Sequence, residues 1–247
     1  MKRVAASKAT ITSWLNGAWS GGKKAPWHCL VQDVIASIAG SPETAAVINS
    51  SEAARLGGQR TTYSEIDPVS LHELFLQYFE VSTEDSLLDV GSGLGKVVLQ
   101  AAMTSGAAAH GIELVPRRYD VAQAALNLLR SSEVEMLGAL DIPKEDVLQK
   151  LTMVDVSFRL GDLTTLGEQD WLAASIIVLN LFQHPGSQEV HFAVQTAVAQ
   201  CCSAGTLLMS LTQLRGCHRG LQLLSRRNIY VDWTSQVVQA FVYMVLP

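Results

Sequence analysis

The stretch Leu87-Leu88-Asp89-Val90-Gly91-Ser92-Gly93-Leu94-Gly95-Lys96-Val97-Val98-Leu99-Gln100 decides how the rest of the chain is read. Ser86 to Val90 is a short apolar run of the kind a sheet covers on both faces, and Lys96 to Met103 is apolar enough to be the buried side of a helix. Between them stand Gly91, Gly93 and Gly95, which let the backbone turn tightly and approach a ligand without a Cβ in the way. A lone Gly-x-Gly-x-Gly is a weak signal, so its neighbours must supply the rest.

Outward from this loop, apolar runs and helical patterns alternate. Ala107 to Glu113 reads as a second strand, Arg118 to Arg130 as a helix, Val154 to Leu160 as a third strand and Ala174 to Asn180 as a fourth. His191 to Cys202 reads as a helix, Gly205 to Ser210 as a fifth strand, and Leu221 to Val231 and Val237 to Val245 as two closing strands. Such alternation implies parallel strands with right-handed crossovers. The expected fold is α/β and Rossmann-like: a mostly parallel sheet with an antiparallel closing strand, flanked by helices. Upstream, Tyr63 to Phe79 passes from a loop into an amphipathic helix carrying Leu71, Leu74, Phe75 and Phe79, and Glu133 to Leu151 reads as a helical pair broken near Pro143. Residues 1–58 are expected to form a basic segment and a helical lid, with Val31, Val34, Ile35 and Ile38 at helical spacing, and residues 59–247 the α/β domain.

Three carboxylates fall at strand ends. Asp89 closes the first strand and can meet an amino group; Glu113 closes the second and can accept from both hydroxyls of a ribose; Asp162, after the third, can reach an adenine amino group. A dinucleotide loop is the competing reading. Its fingerprint is Gly-x-Gly-x-x-Gly, whereas here the third glycine comes one position early and the acids would repel a pyrophosphate. S-adenosylmethionine (AdoMet) has no phosphate and carries a positive sulfonium, so the acid-rich loop favours it over a dinucleotide and over a glycine turn with no ligand.

Composition bounds the remainder. With 247 residues, 48% of them hydrophobic and 17% charged, one core is expected. The formal charge of −5 argues against a surface that traps nucleic acid as a whole. Yet Met1 to Gln32 holds Lys2, Arg3, Lys8, Lys23 and Lys24 with no acid, which suits an organellar transit peptide, a basic arm with weak nucleic-acid contact, or a solvated tail. No apolar run approaches the ~18 residues a membrane span needs. Cys29, Cys201, Cys202 and Cys217 have no zinc-type spacing, so no metal is expected and the thiols read as reduced.

These residues also carry a family resemblance. The loop Leu87 to Gln100 resembles that of the DOT-one (disruptor of telomeric silencing) histone H3 lysine methyltransferases, which are Rossmann-like enzymes. The likeness continues in order through Tyr63-Ser64-Glu65, Gly111-Ile112-Glu113, Gly161-Asp162-Leu163 with Trp171, Val178-Leu179-Asn180-Leu181-Phe182 and Val231-Asp232-Trp233-Thr234. Ser64 and Ile66 stand where the family has Gly and Thr, Leu181 replaces an Asn, and Phe241 falls where a Tyr is expected.

The resemblance implies an AdoMet-dependent methyltransferase acting on a protein lysine, such as one on histone H3 in the nucleosome, in the nucleus; a mitochondrial address remains the alternative from the acid-free N-terminal segment. It implies an acceptor channel of Asn180, Phe182, Trp233 and Phe241, with Tyr63 and Glu65 folding over the methionine end of the cofactor, Asp89 at its amino group, and Gly91, Gly93, Gly95, Glu113 and Asp162 holding the remainder. A core role for each of the three acceptor-channel aromatics stays open. So do a methyltransferase for RNA or a small molecule and a non-catalytic assembly factor on the same fold.

Overall fold

The computed structural model describes residues 31, 34, 35 and 38 and residues 65–131, 151–180, 188–214, 220–231 and 234–247. The core alternates as follows: helix α1 (Pro68–Glu73), β1 (Ser86–Val90), α2 (Lys96–Ser105), β2 (Ala108–Glu113), α3 (Pro116–Arg130), β3 (Val156–Leu160), α4 (Glu168–Ala173), β4 (Ile176–Leu179), α5 (Gln188–Cys201), β5 (Leu207–Ser210), β6 (Leu221–Val231) and β7 (Thr234–Val245).

The sheet order is β3-β2-β1-β4-β5-β7-β6. Strands β1 to β5 run parallel where they pair, and β7 inserts antiparallel to both β5 and β6. The chain leaves β1 towards β2 and β3, then returns to place β4 on the other side of β1. Ligands bind outside the carboxyl ends of the strands at such a reversal point. Register puts Asp89 between Gly111 and Val178, and Glu113 beside Leu160.

Central strands are apolar on both faces because helices cover both: Leu87 to Val90 and Ile176 to Leu179 are all buried. Helix α2 is buried almost all round, Gln100 and Thr104 included, and glycines in the left-handed region bound it at Gly95 and Gly106. Val31, Val34 and Ile35 are helical and lie in the same buried cluster as Leu71, Phe75 and Leu99, so the N-terminal apolar stripe belongs to the main core.

Two expectations are corrected, and two elements were not anticipated. The amphipathic stretch up to Phe79 is two elements, α1 and a π-helical turn (Leu74–Tyr78) closed by Phe79 N–H donating to Leu74 O at 2.8 Å. Asp67 caps α1 by accepting from Val69 and Ser70 N–H, and Pro68 suits the first helical position. Helix α3 starts two residues before Arg118 for the same reason, with Pro116 in its first turn. Finally, α4 and the 3-10 turn Leu163–Thr165 are too short to show a period in sequence. The helical pair expected over 133–151 falls, but for Leu151, outside the described residues. Cys201 and Cys202 are half-buried free thiols, and burial, with the Cys201 thiol adding, pushes Cys202 up to about 12.

Candidate cofactor site

At the carboxyl ends of β1, β2 and β4 the structure opens a cavity of about 300 Å³, whose walls include Glu65, Asp89, Gly91, Gly93, Lys96, Glu113, Asp162 and Asn180. Its floor is the glycine loop. Gly91, Gly93 and Gly95 have φ of 82°, 56° and 83°, a left-handed run that L side chains resist. The N–H groups of Gly91 and Ser92 both donate to Ile112 O, and Gly95 N–H to Ser92 O, so the loop is sewn to β2. Close packing fixes it further. A Cβ on Gly95 would stand 2.6 Å from Phe158 Cζ, and one on Gly111 would stand 2.7 Å from both Cβ and Oγ of Ser92.

The acids surround this loop with different neighbours. Glu113 is buried; its Oε2 accepts from Gly93 N–H at 2.7 Å, its Oε1 from Val115 N–H at 2.8 Å, and the Arg118 guanidinium stands 3.9 Å away. Asp89 is 1% exposed, and its Oδ1 has no hydrogen-bond partner among the described residues. Burial pushes its carboxyl up to about 8, and the Glu113 carboxylate adds to the shift. Asp162 caps the turn after β3, accepting from Thr164 N–H at 2.9 Å, and is one of the residues that line the cavity.

The remaining wall comes from upstream. Ile66 bridges antiparallel to Val231 at the end of β6, Asp67 N–H donates to Tyr230 O at 2.9 Å, and Ser70 Oγ accepts from Tyr230 N–H at 3.0 Å. This places Glu65 against Lys96, which opens α2, and the two form an ion pair. Gln100 donates to Pro68 O at 2.7 Å and ties α1 to the same helix. Glu189, Val190 and Ala193 of α5 supply the facing side.

Of the residues singled out in the sequence, Glu65, Asp89, Gly91, Gly93, Glu113, Asp162 and Asn180 meet on this one cavity. Gly95 sits behind it, packing the loop on Phe158 and Ala122. Phe241 is placed elsewhere: it is opposite Ser210 in the sheet, buried in the cluster that holds Leu179 and Leu214, with the Arg226 guanidinium 5.8 Å from its ring centre. It is a core aromatic because β7 alternates: Phe241, Tyr243 and Val245 face that cluster, and Ala240 and Val242 the other. Tyr63, Phe182 and Trp233 lie outside the described residues. Sequence reasoning missed Lys96, Gln100 and Arg118. Only Lys96 had a local signal, standing directly after the third glycine; the other two enter through helical periodicity and tertiary pairing.

A sheet of this order with one reversed strand, and a glycine loop between the first strand and helix, is the Rossmann-like class I methyltransferase fold. Among solved structures, TrmN from Thermus thermophilus is similar, with 18% identity and a TM-score of 0.52, covering 72% of this chain and 49% of that one. So is yhhF of Escherichia coli, with 13% identity and a TM-score of 0.51, covering 76% and 90%. An RNA methyltransferase from Salinibacter ruber in complex with S-adenosyl-L-homocysteine is 21% identical over 74% of this chain and 93% of that one, with a TM-score of 0.47. The class is AdoMet-dependent. Within it, residues 54–157 match the sequence model of the family described as "Histone methylation protein DOT1", a span that takes in the glycine loop and Glu113. No curated protein sequence matches the chain.

The residues present fit the cofactor of that class. Asp89 offers a buried carboxylate oxygen to an ammonium, Glu113 and Asp162 offer acceptors to hydroxyls and an amine, and the glycines leave the backbone approachable. The basic residues on the described walls, Lys96 and Arg118, each face a carboxylate, which suits a cationic sulfonium better than a pyrophosphate.

Proposed function

We propose that the chain methylates the ε-amine of a protein lysine, with histone H3 as the first substrate to test. The observation that carries the reading is the position of Asn180: it follows β4 and lines the same cavity as Asp89 and Glu113, so a polar amide faces the reacting end of the cofactor site. The match of residues 54–157 to a histone-methylation family supports the choice of acceptor.

When bound, the cofactor supplies an electrophilic methyl on its sulfonium, and a nitrogen–carbon bond forms as the carbon–sulfur bond breaks, leaving a thioether and a methylammonium. The chain's part is to present a neutral, desolvated amine in line with that methyl. Asn180 orients the amine through its amide. Phe182 and Trp233 complete the acceptor side by the resemblance, with Tyr63 closing over the methionine end of the cofactor next to it; Trp233 follows Val231 by two residues, and Val231 is bridged to Ile66 on the cavity wall. The basic N-terminal segment contributes weak contact to nucleosomal DNA, and the nuclear location follows from the family resemblance.

The full chain is incubated with methyl-labelled AdoMet and nucleosomes, free histones or RNA. Label on a lysine of the histone or nucleosome samples supports the proposal; label confined to RNA, or to no acceptor, defeats it. Asn180→Ala is expected to lower kcat about tenfold or more while leaving AdoMet affinity within about twofold. Equal losses in both would take Asn180 off the acceptor side.

A further inference from the structure

We propose that strand β6 is a docking edge for a partner protein, which adds an extended acidic segment to the sheet and sets two adjacent carboxylates on Arg226 and Arg227. The inference is independent of the cofactor and of the methyl acceptor. β6 ends the sheet order, and among the described residues only Tyr230 and Val231 meet another segment on its outer side, at Ile66, Asp67 and Ser70. From Gln222 to Leu224 and from Arg226 to Asn228 the strand is exposed. An edge of this kind offers its outward N–H and C=O groups to any further strand unless something deters it. Here the deterrent is selective. The register with β7 skips Leu224, and Arg226 and Arg227 carry cations that no carboxylate of the described residues pairs with.

Both guanidiniums are held in place without being neutralised. Arg227 lies over the Tyr78 ring at 4.1 Å, and the Tyr78 hydroxyl donates to Ser225 Oγ on the same strand; Arg226 lies 5.8 Å from the centre of the Phe241 ring. The two rings pack against different clusters, so consecutive arginines stand on opposite faces of the sheet. That arrangement selects the occupant. An added strand alternates as β6 does, so neighbouring acids in it fall one on each face, each beside a guanidinium, while exposed Leu223 and Leu224 receive apolar neighbours. A nucleic-acid backbone presents its phosphates along one line, reaches one face and leaves the strand edge unpaired. A second copy of β6 brings the same two cations and, between residues 221 and 231, no acid. The wider sequence agrees with an acidic partner: from residue 190 to residue 247 it holds Arg215, Arg219, Arg226 and Arg227 against the single acid Asp232, in a chain whose formal charge is −5.

The full chain is titrated, by fluorescence polarisation, into a short labelled peptide of alternating Val and Thr with a central Glu-Glu pair. Three probes run beside it: the Lys-Lys counterpart, the Glu-Glu peptide with alternate backbone nitrogens methylated, and single-stranded RNA. The Glu-Glu peptide is expected to bind about tenfold or more tightly than either peptide control, and Arg226→Glu or Arg227→Glu to weaken it about tenfold each. Deuterium exchange of the outward amides between residues 221 and 228 should slow when the peptide is bound. If a charge-reversed variant does not fold, Arg226→Gln or Arg227→Gln takes its place and is read the same way. Equal binding of the methylated peptide shows charge attraction without strand addition and overturns the proposal, as does Glu-Glu binding that ignores both arginines. RNA that binds through the arginines while the acidic peptide does not, a chain that sediments as a dimer and takes no peptide, or no binding of any probe overturns it as well.

Discussion

Asp89 is the residue at which the chain's energetics and its chemistry meet. An unfolded aspartate ionises near pH 4, whereas here burial, with Glu113 adding, raises the carboxyl to about 8. Between those values the folded chain holds a proton that the unfolded chain has released. The stability linked to this group is therefore complete below about pH 4 and is lost as pH rises towards 8. Asp89→Asn is expected to stabilise the ligand-free chain at pH 8 relative to wild type, the difference shrinking towards pH 5, as read from urea midpoints; it should weaken AdoMet binding at the same time. A ligand ammonium favours the ionised form, so binding at pH 7 should release a proton, visible as buffer-dependent heats. Glu113→Ala removes acceptors of Gly93 and Val115 N–H, and AdoMet affinity is expected to fall about tenfold or more; unchanged affinity would remove Glu113 from the ribose. Position in sequence was enough to find both acids, since strand ends at a switch point face the ligand. Arg118 was not legible, because what defines it is a carboxylate from the preceding strand and not a neighbour in sequence.

At the scale of elements, the loop and the strand beneath it act as one part. Gly111→Ala puts a Cβ 2.7 Å from Ser92, so the loop must lift. The expected cost is about 1–3 kcal/mol of stability together with weaker cofactor binding, measured by denaturant unfolding and calorimetry; full affinity with the stability loss would separate loop from strand. Strands were legible within about two residues because both-face burial leaves an unbroken apolar run, as at Ile176 to Leu179. The split at Leu74 was not. Over a single turn, Leu71, Leu74, Phe75 and Phe79 satisfy an α and a π spacing alike, and Pro68 with Asp67 decides where the helix begins. The start of β7 at Thr234 was likewise hidden, since it is set by pairing with Val231 across the hairpin.

For the molecule as a whole, two buried clusters line the sheet, and the larger takes in Val31, Val34 and Ile35 as well as helix α2. Cofactor binding should therefore raise the stability of the entire chain. At a hundred times Kd the gain is about 2.7 kcal/mol, or a rise in Tm of roughly 5–10 °C for a chain of this size. The proposed nucleosome partner would add a second whole-molecule expectation: if the basic segment near the N terminus meets phosphate, affinity should fall as salt rises. Nucleosome binding indifferent to salt would exclude that role. The fold class was legible because alternation survives divergence, and the acceptor was not, since its chemistry depends on residues of separate loops.

The antiparallel bridge between Ile66 and Val231 carries a consequence for kinetics. Asp67 and Tyr230 exchange hydrogen bonds with their opposite segments, so the strip bearing Glu65 and the end of β6 are one latch. Their amides should exchange with deuterium as a single cooperative unit, slowed together by AdoMet. An exit for spent cofactor through that latch would also disturb the acceptor side, and the two ligands would then leave in a fixed order.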